Sequence, residues 1–292
     1  MRFPRFIAAA ALVFAAVLPV YAAAEPGLPA YLPSYSAIAA GVDFNALCDN
    51  PQSANLFAGL EKICGQSAGE LSKVLLACDR RGKRRMLLAE FDDSKTVDRY
   101  CLKVKDRRLS AEDHGGAKVF LLKGQAKERK AVRMVQFSGK EIGLFTAFPA
   151  GSEFRIVPGK SPVSRRMPLD RKVLLWGCGT PQIERDYLRH ITDFYFILEP
   201  DVYGDLLLHG SVKFAGEVQC AAFLIFVKQF LPFALAVKYD VSAVDVYRGI
   251  AGLNIRNCGD RLIFSGRDIE PLFRVFTGVF HKQLGKLREI AE

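Results

Sequence analysis

Between Val218 and Val237 the chain reads VQCAAFLIFVKQFLPFALAV, and this run constrains the fold more than any other feature of the sequence. A stretch so long and so apolar is either a bilayer span or a helix enclosed by protein. Its length suffices for a span, which takes roughly 20 residues. However, Lys228 and Gln229 occupy its centre and Pro232 follows. A lysine at mid-bilayer costs about 2.5–3.5 kcal/mol on insertion. A helix that is apolar on nearly every side otherwise belongs in a protein core. The run therefore predicts a buried core helix over 217–237 and no transmembrane helix.

The first 24 residues carry a different signal. Arg2 and Arg5 precede the alanine-rich apolar stretch Phe6 to Val20, and Ala22-Ala23-Ala24 supply small residues before Glu25. That is the layout of a secretory signal peptide, so the expected location is exported, periplasmic or extracellular. The remaining 268 residues suffice for one large domain or two smaller ones.

Charge is concentrated in one part of the chain. The formal net charge is +10, of which the two arginines of the signal account for two. Residues 25–78 are net −3, residues 79–133 net +8 and residues 134–292 net +3. The densest basic run is DRRGKRR, with Arg80, Arg81, Lys83, Arg84 and Arg85. A second, KVKDRR, ends in Arg107 and Arg108. These seven residues are the candidate binding site for an anionic partner, because a basic face attracts anionic lipid headgroups or acidic polysaccharide. Another envelope protein is the alternative partner. Solvated turns and guarded strand edges also use lysine and arginine. No nucleic-acid partner is expected, since the runs lack interleaved aromatic stacking residues.

Catalytic signatures are sparse. Seven cysteines occur, at 48, 64, 78, 101, 178, 220 and 258, and none forms a C-x-x-C pair. An odd number leaves at least one thiol outside any intrachain disulfide. Cys48 with Cys64 or Cys78 is the expected pair. Cys64, Cys78 and Cys220 sit in apolar patterns read as helical. The four histidines, 114, 190, 209 and 281, form no metal-ligating pair, so neither a metal nor a cofactor is expected. Cys178 is the one candidate nucleophile. It lies in LLWGCGTPQIERDYLRHI between two glycines, ahead of Thr180 as a helix N-cap and Pro181 as a first helical residue. On a continuous helix His190 would lie about 15 Å from the helix start, beyond the reach of a general base. The motif is read as a strand-to-helix corner.

Hydrophobic periodicity places strands at Ser36–Phe44, Met86–Phe91, Lys118–Lys123, Ala131–Ser138, Glu141–Phe148, Lys172–Gly177, Asp193–Leu198 and Tyr203–Phe214. Ala251–Arg256 and Arg261–Ser265 read as a hairpin. Helices are expected at Ala54–Ala77 (as two pieces), Ser94–Leu102, Pro181–Ile191, 217–237, and from an Asp268 cap to about Leu284. Residues 149–171, with four prolines, read as a crossover. The predicted fold is α+β: two related units of mixed or antiparallel sheet with helices packed on one face, residues 25–160 and 161–292, after a signal peptide at 1–24.

The order of these elements is similar to that of a group of uncharacterised exported bacterial proteins. The segments that carry the resemblance are LPSYSAIAAGVDFNAL, LLAEFDDSKTVDRYCL and GDRLIFSGRDIEPLF. The resemblance implies a duplicated α+β exported protein and assigns no catalytic residue. The leading functional expectation is a non-enzymatic, exported binding or scaffold protein with a basic surface over 79–133. The alternative is a thiol-dependent enzyme using Cys178.

Overall fold

The computed structural model describes residues 28–54, 70–82, 84–98, 108–114, 117–122, 132–145, 163, 173–182, 189–239, 241–267 and 269–272. The expected signal segment, Cys64, Lys83, Cys101, Arg107, His281, nearly all of the 149–171 crossover and most of the expected helices at 181–191 and 268–284 lie outside them.

The architecture is α+β, built on one large antiparallel sheet. Its strands are β1 (Ile38–Asp43), β2 (Leu71–Cys78), β3 (Arg85–Phe91), β4 (Arg108–His114), β5 (Ala117–Leu122), β6 (Val132–Gln136), β7 (Glu141–Phe145), β8 (Leu175–Gly179), β9 (Ile191–Pro200), β10 (Leu206–Phe214), β11 (Asn254–Cys258) and β12 (Arg261–Gly266). The helices are α1 (Phe44–Asp49), α2 (Glu217–Gln229), α3 (Leu231–Tyr239) and α4 (Ala243–Ala251). Residues 94–98 are also helical.

All twelve strands join in the order β11-β12-β10-β9-β8-β1-β2-β3-β7-β6-β5-β4. Read outward from the antiparallel β1–β8 pair, one side runs β1-β2-β3-β7-β6 and the other β8-β9-β10-β12-β11. The two sides therefore follow the same path, and β5-β4 extend the first. Apolar clusters lie on both faces. Ile38, Ala40 and Val42 of β1 belong to the larger cluster, with Phe194, Phe196, Phe214, Phe223 and Val246. Ala39, between them, belongs to the second, with Leu28, Leu32, Trp176 and Cys178. A strand covered on both faces keeps no polar alternation, which is why IAAGVD and LWGCG read as continuous apolar and small runs.

Several expectations need correction. LSKVLLAC is strand β2 and not the end of a helix, so Cys78 lies in a strand. Its apolar residues fit either period over so short a length, and pairing to β1 and β3 decides. Phe44 starts helix α1 and does not end the strand: the Asp43 carboxylate accepts a hydrogen bond from the Ala46 N–H (2.9 Å) and caps it. The polar stretch AEDHGG reads as a loop, but Glu112, Asp113 and His114 lie in β4. Ile191 opens β9 and does not close a helix. The expected single helix 217–237 is two, because the Pro232 ring clashes with a carbonyl one turn back and lacks an N–H to continue the ladder. Helix α4 was not expected, although Ser242 caps it by accepting from the Asp245 N–H.

Candidate functional site

The basic run forms the turn between β2 and β3. The Asp79 N–H donates to the Arg84 carbonyl (3.1 Å) and the Gly82 N–H to the Asp79 carbonyl (2.9 Å). Gly82 takes φ +64°, the left-handed backbone that closes the turn. Arg80, Arg81, Arg84 and Arg85 are exposed. The Arg84 guanidinium lies over the Tyr35 ring, 5.2 Å from its centroid. Arg85 Nε donates to the Gly82 carbonyl (2.9 Å), and the Arg80 carbonyl accepts from the Gln182 N–H (2.8 Å), tying the turn to the segment after β8. Arg108 begins β4, opposite Leu122. Following the register through β7, β6 and β5 places it at the same end of the sheet as Arg85 but four strands away, about 19 Å at the usual strand spacing. Of the sequence-predicted residues, the described ones thus share one end of the sheet, with Arg108 set apart from the β2–β3 turn.

The opposite end is acidic. Asp43, Lys73, Glu90 and Glu141 stand directly opposite one another on β1, β2, β3 and β7, and so point to one face. The Tyr31 hydroxyl donates to Glu141 Oε2 at 2.7 Å. Burial first, then the Glu141 hydrogen bond and charge, raise the Tyr31 pKa well above its usual range. Burial raises Glu90 above its ordinary 4.5; Glu141 and Asp43 add to that, and Lys73 and Lys140 oppose it. Asp43 is raised chiefly by burial too, against the Ala46 hydrogen bond and Lys73. A carboxyl with a raised folded pKa binds its proton better folded than unfolded. Its contribution to stability is complete below the ordinary carboxylate range and is lost as pH rises through the raised value. Glu90→Gln is therefore expected to raise the melting temperature at pH 7 by about 2–4 °C per kcal/mol relieved. At about pH 4 the two proteins should melt together. A variant that melts lower at pH 7 would show that Lys73, 4.0 Å from Glu90, outweighs both burial and Glu141.

Cys178 lies within β8, directly opposite Ala39 and Tyr195, and is 2% exposed. It packs with Trp176 in the second apolar cluster. The structure thus places it inside the strand, one residue before its end. His209, on β10, forms a 3.0 Å contact with Glu199 Oε1. It is two strands across and two residues along from Cys178, about 12 Å between backbones. His190 Nε2 accepts from Arg189 Nε at 3.0 Å. No imidazole and carboxylate converge on Cys178 among the described residues. Burial pushes the Cys78 thiol up to about 12 and raises that of Cys220. Cys48 and Cys78 are not bonded to each other. Among the described residues no cluster of three or more His, Cys, Asp or Glu could hold a metal ion. A thiol reagent should label exposed Cys48 and Cys258 in the native protein and reach Cys178 and Cys220 only after denaturation. Peptide mass mapping reads this directly, and rapid native labelling of Cys178 would contradict its burial.

The helical layer is the feature that sequence reasoning misjudged. Cys220, Phe223, Phe226 and Val227 of α2 face the core, as the core-helix expectation requires. The outer side is apolar as well. Val218 and Ile225 of α2 are exposed, as are Phe230 at the bend, Phe233 (68%) and Val237 (87%) of α3, and Val244 and Tyr247 of α4. Uniform apolarity erased the period that would have told inside from outside. The polar pair Lys228-Gln229 and Pro232 were the available signals for the break. Among the described residues no single helix is long and apolar enough to cross a membrane. Glu217–Gln229 and Leu231–Val237 pass together by length and composition but are bent by 55°.

Beneath this layer lies a cavity of about 80 Å³ between α2, α4 and strands β9 to β12, lined without a polar atom.

No family model matches the chain, and no curated protein does. Solved structures of TP0453 are similar at low level. Crystal form I has 12% identity and a TM-score of 0.47, covering 88% of this chain and 98% of that one. Crystal form III has 11% identity and a TM-score of 0.46, covering 87% and 98%. Neither site residues nor a role carries over at that similarity.

Proposed function

We propose that the chain is an exported, non-enzymatic protein of the periplasm or envelope that adheres to an anionic lipid surface. The observation that carries this reading is the exposed apolar side of α2, α3 and α4. Phe230 at the bend and Phe233 and Val237 of α3 recur at helical spacing and are exposed. A helix that keeps aromatic and aliphatic residues on its outer side can bury them at the boundary between headgroups and acyl chains. Exposed Lys228 and Arg248 stand among these residues, supplying attraction to anionic headgroups. The basic β2–β3 turn supplies more through Arg80, Arg81, Arg84 and Arg85, and each basic residue near such a surface adds about 1 kcal/mol. Lys83, Arg107 and Arg108 extend the same proposal.

Flotation with phosphatidylcholine vesicles, with and without phosphatidylglycerol, tests the reading. Binding is expected to the anionic vesicles at low salt and to weaken as salt rises. It should fall in a Phe233→Asp/Val237→Asp variant and in a variant with Arg80, Arg81, Arg84 and Arg85 all changed to Glu. If the protein ignores anionic vesicles at low salt, or both variants bind like the parent, the reading is wrong. Binding to soluble acidic polysaccharide but not to vesicles would favour a glycan partner instead.

A further inference from the structure

We propose that the cavity under the helical layer is a binding site for the linear hydrocarbon chain of an amphiphile. The inference does not depend on membrane adhesion, because it concerns the inner side of the layer and a ligand in solution.

The lining decides the chemistry. Phe194 and Phe196 of β9, Leu208 of β10, Leu262 of β12, and Phe223 and Val227 of α2 form its walls, and none contributes a polar atom. The free space of about 80 Å³ is several times what one water needs. A buried water also requires two to four polar partners, which this lining does not offer, so the space stays dry. An unfilled apolar void lowers stability in proportion to its volume, and hydrocarbon that enters recovers that loss.

The shape decides the ligand within that class. The lining includes residues from β9, β10, β12 and β11, which are consecutive neighbours in the sheet. Three strand spacings span about 14 Å. A lining drawn from four adjacent strands suits an extended chain better than a compact ring. The walls named above are buried, whereas Val212, Leu224, Leu253, Ile255 and Phe264 are half-buried and Tyr195 is exposed. Leu253, Ile255 and Phe264 lie toward the β11 edge and the end of α4, and we take the opening to be there. A polar headgroup finds no partner inside and remains at that opening. Leu272 closes in over α4 at Gly249, where an added Cβ would stand 2.6 Å from Leu272 Cδ2.

The test uses the purified, delipidated protein without vesicles and calorimetric titration below micellar concentrations. The probes are decanoic acid, decanol, a decanoyl lysophosphatidylcholine and butyric acid. Saturable binding of the decyl-chain probes is expected, with butyric acid at least about tenfold weaker. Val227→Phe, which fills the space, and Leu253→Trp, which blocks its opening, should each weaken decanoic acid by about tenfold or more. Phe233→Asp, on the outer side, should leave it unchanged. Binding of decanoic acid alone would identify a free fatty acid as the source of the chain, and binding of the lysolipid as well would admit a lipid source. The proposal is overturned if no decyl-chain probe binds saturably. It is equally overturned if binding survives in folded Val227→Phe and Leu253→Trp proteins but is lost in Phe233→Asp, which would assign the probe to the outer surface.

Discussion

Trp176→Ala is expected to remove about 3–5 kcal/mol of folding stability, the range for deleting a large buried aromatic side chain. Trp176 is 1% exposed and sits in β8, at the seam between the two halves of the sheet. Gly41 of β1 stands directly opposite it, so the facing strand presents no side chain at that position, and the atoms nearest to where a Cβ would stand are the Val74 carbonyl oxygen and Leu75 of β2. Ile197 of β9 stands opposite on the other flank. Alanine would leave a void touching β1, β8 and β9 together. Domains of this kind have about 5–15 kcal/mol in total, so the loss takes a large share of the margin. The melting temperature should fall by about 6–20 °C. Far-UV circular dichroism is the proper readout, because Trp176 is the only tryptophan in the chain. A drop under two degrees would mean that the seam repacks without it. In the parent protein the same fact makes tryptophan fluorescence a reporter of the seam alone.

Gly210→Ala should be the second most damaging single change. Gly210 lies in β10 opposite Phe196. A Cβ there would approach the Tyr195 carbonyl oxygen and Phe196 Cβ more closely than the 3.0 Å that real Cβ atoms keep. The obstructing oxygen belongs to the backbone of β9, so it cannot swing aside as a side-chain end would. Overpacking of this kind costs about 1–3 kcal/mol and occasionally more, and the strain should fall on the β9–β10 pairing. Gly139→Ala is the matched control, since the nearest atom to its added Cβ is Ser94 Cβ at 3.5 Å. Chemical denaturation of both should show a lowered midpoint for the first and a midpoint within about 0.5 kcal/mol of the parent for the second. An equal lowering in both would show that the close approach at Gly210 is not the cause.

Much of the sheet was legible because strand-length apolar runs with turn residues between them have few other uses. Met86–Phe91, Glu141 onward and the hairpin at Arg261 were all visible on that basis. LSKVLLAC was not, because five apolar residues in a row, Val74 to Cys78, fit a helix as well as a doubly covered strand, and only its neighbours β1 and β3 choose. The basic turn at Arg80 to Arg85 was legible as charge, and Gly82 as a turn, but the separation of Arg108 from it follows from sheet order, which local sequence does not encode. Cys178 reads from its flanking glycines as a corner, whereas its burial in the second apolar cluster depends on strands distant in sequence. The exposed side of α2 and α3 was hidden for the opposite reason. Where every residue is apolar, no periodic contrast distinguishes solvent from core, and the cavity beneath is a property of packing between distant segments.

The pairing of β1 with β8 has a consequence for how the protein is made. Ile38 must wait for Gly179 to emerge before the pair can close, so the amino-terminal half leaves the translation machinery with one border of its sheet uncovered. That border is six residues long with Asp43 as its one charged residue, the kind that invites an intruding strand. During biogenesis a second nascent copy could supply its own β8 there, giving an interlocked pair in which each molecule completes its neighbour. Concentration during refolding, more than temperature, should then decide how much of the product is a lone chain.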